Sequence, residues 1–346
     1  MVWRVAEFVI GIVVAAMTLR DVFDTVIVPG GSHASLHIAR RLVFLLLPVW
    51  KRMRGRQRGL STMFAPLVLV ISFALWMALL ALAFGLLAYA LRDDFRPPLA
   101  GFGDAVYAVG SALVTVGQGH GGVIRAARWV VLAAGFCGLA VMTMAVTYLL
   151  EVQSSIARRD SGILKLRTSA GDPPTAIALL EKYQAIGARD ELPRVLRDGR
   201  DWCATVRQSH TSHPSLVYFR TIGTGSGWPA ALGALLDLAL IVERRLDAPE
   251  LAGLAILLRE DGRRMAEDLG RLVDLEEEPE APDSAGAGEM DRRLAAAGYS
   301  RQAGFDADAF AAEREGHAAW IRALGHHLGR HPGGLLPVSV DPAPDG

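Results

Sequence analysis

Two long stretches without any charged residue constrain this chain more than any other feature. One lies between Arg58 and Arg92, and the other lies between Arg128 and Glu151. Each stretch is longer than the roughly 20 apolar residues that cross the hydrocarbon core of a bilayer. The sequence therefore predicts at least two membrane helices and excludes a purely soluble protein.

The charged residues are distributed unevenly around these stretches. Residues 29–64 contain seven basic and no acidic side chains, whereas the chain from Glu151 onwards contains 23 basic and 30 acidic ones. Short loops rich in arginine and lysine stay on the cytoplasmic side of a membrane, so we expect the basic loop there. Over the whole chain 36 basic residues balance 36 acidic ones, which argues against a nucleic-acid partner.

A third apolar stretch opens the chain. We expect residues 1–28 to form an N-terminal membrane helix whose charged end, with Arg20, Asp21 and Asp24, faces the basic loop. Arg20 and Asp24 are four residues apart and can pair on one helix face. A cleaved signal peptide is the alternative, but Glu7 lies where such a peptide is positive and no A-x-A site follows.

Residues 29–60 are predicted to form a basic cytoplasmic loop. Within this loop, residues 42–50 are apolar but too few to cross a bilayer, and basic residues flank them on both sides. This pattern predicts an interfacial helix, with a loop packed on the protein as the alternative.

The most informative segment lies between the two charge-free stretches. It reads Gly103-Asp-Ala-Val-Tyr-Ala-Val-Gly-Ser-Ala-Leu-Val-Thr-Val-Gly-Gln-Gly-His120. Its first part is mildly apolar and too short to span a bilayer, but it suits a half-helix. Its second part alternates glycine with larger residues, and glycine permits backbone conformations that are closed to other residues. Non-helical backbone survives at membrane depth only where protein buries it or where it lines a water-filled cavity.

This order of elements indicates a site for a cation. The carbonyls of a glycine-rich strand can point inward and replace the hydration shell of an ion. A half-helix would direct its negative C-terminal end at the same place. One chain supplies only one wall of such a site, so rotational symmetry is needed to close a ring around the ion.

On these residues the chain resembles the potassium channel family, in particular its bacterial two-helix pore module. The family motif T-V-G-Y-G-D corresponds here to Thr115-Val116-Gly117-Gln118-Gly119-His120. The resemblance covers residues 64–150 and implies a homotetramer. It also implies an outer helix over residues 61–91, a pore helix over residues 102–114 and an inner helix over residues 129–150.

The resemblance also implies roles for individual residues. The ion would be coordinated by backbone carbonyls of the filter and by the Thr115 hydroxyl. The filter residues would be Thr115, Val116, Gly117, Gln118 and Gly119. The outer mouth would carry His120, and Gly135 or Gly138 would be the hinge of the inner helix. Asp93, Asp94 and Asp104 flank the expected entrance, where they either concentrate cations at the outer mouth or belong to a solvated loop.

The motif departs from the family pattern at two positions. Gln118 replaces a tyrosine whose ring packs behind the filter, so apolar bracing is lost and an amide that needs partners is gained. Reduced selectivity and a collapsed filter are the two alternatives for this change. His120 replaces an aspartate, so the outer ring becomes neutral or cationic. We hypothesise that His120 senses extracellular pH.

The rest of the chain is predicted to be an α-helical cytoplasmic tail. Its parts are a helical domain over residues 151–275, a disordered acidic linker over residues 276–290, C-terminal helices over residues 291–331, and a disordered end over residues 332–346. The expected helices are residues 172–186, opened by Asp172 and two prolines, and residues 190–208, 228–242, 249–275 and 306–328. The last helix carries the apolar stripe Phe310, Ile321, Leu324 and Leu328.

Two further motifs are less specific. Gly223-Thr-Gly-Ser-Gly227 resembles a phosphate-binding loop, but no strand pattern precedes it and no lysine follows it. We interpret it as a loop that opens the next helix. His326, His327 and His331 are metal-ligating types, but Pro332 ends the helix there and no acidic residue is adjacent. We interpret these histidines as a solvated helix end.

These patterns predict an all-α protein of the bacterial cell membrane. An outer helix, pore helix, filter and inner helix are joined to an extra N-terminal membrane helix and to the cytoplasmic tail. We expect it to conduct potassium or another monovalent cation as a homotetramer, with the tail serving assembly or gating. We expect no cofactor and no enzyme activity, because no nucleophile–base pair, H-E-x-x-H motif or pair of carboxylates stands out.

Two other classes compete with the channel. The first is a non-conducting, membrane-anchored scaffold or signalling protein with a vestigial pore. The second is a transporter, which is disfavoured because only three spans and no paired broken helices are predicted.

Overall fold

A computed structural model describes residues 2–26, 64–117, 122–220 and 226–337 of the chain. The described part is mainly helical. Its helices are α1 (Val2–Val26), α2 (Phe64–Ala90), α3 (Phe102–Leu113), α4 (Ala127–Ala170), α5 (Ala176–Ala185), α6 (Leu192–Ser212), α7 (Gly227–Arg244), α8 (Pro249–Leu272), α9 (Ser284–Ala296) and α10 (Ala307–Leu328). Two short antiparallel strands, β1 (Phe95–Arg96) and β2 (Gly122–Val123), pair with Phe95 opposite Val123.

Three of the described helices, α1, α2 and α4, are long and apolar enough to cross a membrane. The predicted all-α class and the membrane character of the chain are therefore confirmed. Helix α4 has 44 residues, which at 1.5 Å per residue is about 66 Å. It continues well beyond residue 150, where the expected inner helix ends. The predicted basic loop over residues 29–60, with its interfacial helix, lies outside the described residues.

The chain divides into two compact units, Met1–Gln153 and Ser154–Gly346. In the first unit, α1 and α2 run antiparallel along each other. Arg4, near the start of α1, forms an ion pair of 2.5 Å with Asp93, just after the end of α2. The apolar core of this unit comes from all four helices described in it and includes Val22, Trp76, Leu80, Phe84, Val109, Leu113 and Val141.

The charged end of α1 is partly buried between helices. The expected pair Arg20–Asp24 is present, with 3.6 Å between Nε and Oδ2. Asp21 is fully buried and accepts a hydrogen bond of 2.8 Å from the indole Nε1 of Trp76, in the middle of α2. A buried carboxylate is costly unless donors face it, so this bond explains how α1 carries an acidic residue on its packed side.

In the second unit, α7 is the central helix. Fifteen of its 18 residues are buried, as predicted for a core helix that is apolar on all sides. Asp237 is the one acidic residue among these fifteen, and it accepts two hydrogen bonds of 2.7 and 2.9 Å from Arg314 and one of 2.9 Å from Nε2 of His317. Burial alone would raise the pKa of Asp237, but the charge of Arg314 and the bonds from His317 lower it to about 2.

Several predicted boundaries in the second unit are shifted. Helix α5 begins at Ala176 with Thr175 as its N-cap, which accepts from the Ala178 amide at 3.3 Å. Asp172, the predicted cap, instead accepts a bond of 2.7 Å from the Ser226 hydroxyl. Helix α6 covers residues 192–212, and α8 ends at Leu272. Helix α10 begins with Asp306 as its cap, as predicted, and its four stripe residues are buried.

The acidic segment is packed where a disordered linker was expected. The backbone carbonyl of Glu278 accepts bonds of 2.9 and 3.1 Å from Arg322, and its carboxylate lies 2.6 Å from Nδ1 of His326. Helix α9 begins at Ser284, inside the expected linker, with Asp283 as its cap. Basic side chains of α10 therefore hold this segment. In the expected disordered end, Leu335 is buried, and residues 338–346 lie outside the described residues.

Candidate pore loop

Helix α3 has the dimensions of the predicted half-helix. Its 12 residues correspond to about 18 Å, which is too short to cross a bilayer. One face is buried and contains Ala105, Ala108, Val109 and Leu113. A Cβ placed on Gly85 of α2 would lie 2.6 Å from Cγ2 of Val106, so glycine allows α3 to lie close to α2. The expected pore helix over residues 102–114 thus corresponds to α3.

Both ends of the loop that contains α3 are fixed beside each other. The strand β1 before α3 pairs with β2 after it, and the Ile124 amide donates to the Asp94 carbonyl at 2.9 Å. Arg128, at the start of α4, also donates to the Val123 carbonyl at 2.7 Å. The chain therefore leaves one end of α2, forms α3 and returns to the place where α4 begins. Strands of two residues carry no periodic signal, so the sequence did not predict this closure.

The residues that follow α3 turn back onto its C-terminal end. The amides of Val116 and Gly117 both donate to the Ser111 carbonyl, at 2.9 and 3.0 Å, and the Thr115 amide donates to the Ala112 carbonyl at 3.0 Å. Sequence analysis did not single out Ser111. Ser111 contributes its backbone carbonyl, a group that every residue type has, so no side-chain pattern could have indicated this position.

The backbone of this turn alternates in handedness. Thr115 has a φ of 61° and Gly117 a φ of 67°, whereas Val116 between them is not in the left-handed region. A β-branched residue with positive φ is rare, and such strain costs on the order of 1–3 kcal/mol. All three residues are exposed in the single chain, and no amide in the described ranges donates to their carbonyls.

Two glycines of α4 lie against the C-terminal end of α3. A Cβ on Gly138 would overlap the backbone carbonyl of Leu113, whereas a Cβ on Gly135 would lie at an ordinary 3.5 Å from the Ala112 carbonyl. Gly138 thus permits close contact between α4 and the half-helix. The predicted hinge function of either glycine stays a prediction, and α4 is continuous through both positions.

The predicted outer-mouth residues are not brought together within the described chain. Asp104 is exposed in the first turn of α3, at the opposite end of the helix from the turn at residues 115–117. Asp93 is paired with Arg4, and Asp94 lies 3.9 Å from Arg125. The remaining predicted site residues, Gln118, Gly119 and His120, lie outside the described residues.

The C-terminal histidines each have a different partner. His326 lies beside Glu278, Nε2 of His327 is 3.4 Å from the Tyr218 hydroxyl, and Nδ1 of His331 accepts from the Gly333 amide at 3.1 Å. Across the part of the chain that the structure describes, no three His, Cys, Asp or Glu residues are grouped as metal ligands.

Comparisons with protein-family models, with curated proteins and with solved structures return no match.

Proposed function

We propose that this protein is a cation channel that assembles as a homotetramer in a bacterial cell membrane. In this proposal α2 is the outer helix, α3 the pore helix, residues 115–119 the filter and α4 the inner helix. Potassium or another monovalent cation passes along the carbonyls of the filter. The second unit is cytoplasmic and serves assembly or gating.

One observation carries this proposal. A half-helix ends in a segment of alternating handedness whose amides are bound to that helix and whose residues are exposed in the single chain. Carbonyls in such a segment can replace the hydration shell of a cation, and the negative end of the α3 dipole lies at the same place. A single chain leaves these groups open on one side, so symmetric copies are needed to surround an ion.

Tracer flux in liposomes tests this proposal. The purified protein is expected to pass potassium or sodium, and Gly117→Ala is expected to abolish the flux. Alanine at a φ of 67° is strained by roughly 1–2 kcal/mol, and relief of that strain would move the carbonyls that coordinate the ion.

Gly103→Ala is the matched control. Gly103 lies in the first turn of the same half-helix, has no positive φ, and has open space where a Cβ would be placed. This variant should conduct like the wild type. If neither ion passes through the wild type at any pH between 5 and 8, the non-conducting scaffold with a vestigial pore is favoured instead.

A further inference from the structure

Buried positive charge is concentrated in the second unit around the start of α7. Arg159 of α4 is fully buried, and Arg330, just after α10, is only 8% exposed. The charge of Arg220 also acts on Arg330. A buried guanidinium is costly unless its donors are bonded and its charge is paired, so each N–H of these side chains needs a partner.

Arg159 has partners for all of its nitrogens. Its Nη1 and Nη2 donate to the carbonyls of Leu216 and Phe219 at 3.1 Å each, and its Nε donates to Asp160 at 3.0 Å. Nη1 also lies 3.4 Å from Nε2 of His210. All three side-chain nitrogens of Arg159 therefore have hydrogen-bond partners within the protein.

His210 adds no charge to the cluster. Its Nδ1 lies 2.9 Å from the Val206 carbonyl, which can only accept, so Nδ1 carries the proton and Nε2 is free to accept from Arg159. Burial and the charge of Arg159 lower the pKa of His210 to about 3, and the ring is neutral at pH 7.

Only some of the N–H groups of Arg330 have hydrogen-bond partners among the described residues. Its Nη2 donates to the Phe219 carbonyl at 3.1 Å, but its buried Nη1 has no hydrogen-bond partner among the described residues. Burial, together with the charges of Arg159 and Arg220, lowers the pKa of Arg330 to about 9, and Asp160 offsets this only in part. The side chain stays charged at pH 7, so a charged N–H remains without an acceptor.

The unpartnered Nη1 lies directly against the first residue of α7. A Cβ on Gly227, which has a φ of 70°, would overlap this nitrogen. The helix has 18 residues, and its N-cap residue Ser226 directs its hydroxyl to Asp172 instead of capping it. The indole Nε1 of Trp228, the second residue of α7, is buried and likewise has no partner among the described residues. The guanidinium and the positive end of a helix dipole thus meet at Gly227, where Nη1 of Arg330 has no acceptor among the described residues.

We propose that Arg330 and the N-terminal end of α7 form a binding site for a phosphate group. Such an anion supplies an acceptor and a negative charge to the unpartnered Nη1 of Arg330, and a guanidinium fork and a helix N-terminus both suit phosphate oxygens. The phosphate belongs either to a free soluble compound or to a lipid headgroup. The site does not depend on the pore. The glycine motif at residues 223–227 ends here, but Arg330 is too distant in sequence for the motif to have revealed it.

Hydrogen–deuterium exchange on the full-length wild type in detergent tests the site without any variant. Inorganic phosphate is added at constant ionic strength, with sodium chloride as the reference salt. We expect saturable protection of the peptide that contains residues 226–231, and a saturable rise in Tm. Absence of saturable protection there, with inorganic phosphate and with the lipid described below, would overturn the proposal.

A second arm separates the two sources of phosphate. The exchange measurement is repeated without inorganic phosphate in nanodiscs of phosphatidylcholine, with and without phosphatidic acid. Protection by inorganic phosphate supports a site for a soluble compound, and protection by phosphatidic acid alone supports a site for a lipid headgroup.

Substitutions of Arg330 test how much its guanidinium group contributes to phosphate binding. Arg330→Gln is expected to weaken phosphate binding by about tenfold or more, because a charge-assisted pair is lost. Arg330→Lys keeps the charge but loses the fork, so we expect a smaller loss. Arg264→Gln is the matched control, since Arg264 is 60% exposed and has only a distant pair with Glu260 at 4.0 Å. Equal affinity in Arg330→Gln and the wild type would contradict the proposal.

Discussion

At the scale of single residues, substitutions of Gly135 and Gly138 in α4 distinguish a packing function from a hinge function. Gly138→Ala is expected to destabilise the protein by about 1–3 kcal/mol, because its Cβ would overlap the Leu113 carbonyl. Gly135→Ala should be neutral, because its Cβ has ordinary contact distances. Thermal unfolding of the full-length protein in detergent measures both. If Gly135→Ala changed flux while its stability stayed that of the wild type, the hinge function would be supported there.

His210 makes the second unit sensitive to mild acid. Its pKa is about 3 in the folded protein against an ordinary 6.5, so between these values the unfolded chain binds a proton that the folded chain does not. Stability is then complete above pH 6.5 and falls as the pH is lowered, by up to about 1.4 kcal/mol per pH unit.

Measurements of Tm between pH 7.5 and 5 check this dependence in the full-length protein. His210→Gln should flatten the slope, because an amide can accept from Arg159 without titrating in this range. Asp237 titrates only near pH 2 and does not contribute in this window. An unchanged slope in His210→Gln would show that another group is responsible.

At the scale of elements, the ion pair on α7 holds α10 against the core. Asp237→Ala is expected to destabilise the protein by about 3–5 kcal/mol, since it leaves the charge of Arg314 buried without its partner. Asp198→Ala is the control, because Asp198 is 57% exposed and 4.0 Å from Arg194. That change should cost no more than about 1 kcal/mol. Chemical unfolding of the full-length protein compares the two, and similar losses would contradict the account.

The sequence predicted those elements whose signal is local. Absence of charge identified α2 and α4, an apolar run identified α7 as a core helix, and a cap with a stripe identified α10. A mildly apolar run before the glycine motif identified α3 to within one residue.

Elements defined by distant partners were not predictable in the same way. The strands β1 and β2 exist because Phe95 meets Val123, and the acidic segment is ordered by Arg322 and His326. The bond from Trp76 to Asp21 joins residues 55 positions apart. Periodicity indicates which face of a helix is buried, but it does not indicate which distant side chain satisfies a buried polar group.

At the scale of the whole molecule, the candidate site is incomplete in one chain. Residues 115–117 are exposed, as are the apolar side chains of Val114, Val116 and Tyr107. Four symmetric copies would cover such surfaces and surround an axis with carbonyls. Conduction therefore requires assembly into a tetramer, and a protein that is a monomer or a dimer would contradict the proposed channel.

Recording of single channels in a planar bilayer tests that claim most directly. The wild type is placed in a gradient of potassium chloride, and current is measured as a function of voltage. We expect discrete steps of conductance and a reversal potential that lies toward the equilibrium potential of the cation. The ratio of potassium to sodium permeability would then show how Gln118 affects selectivity. Absence of steps, or a reversal potential that follows chloride, would contradict the account.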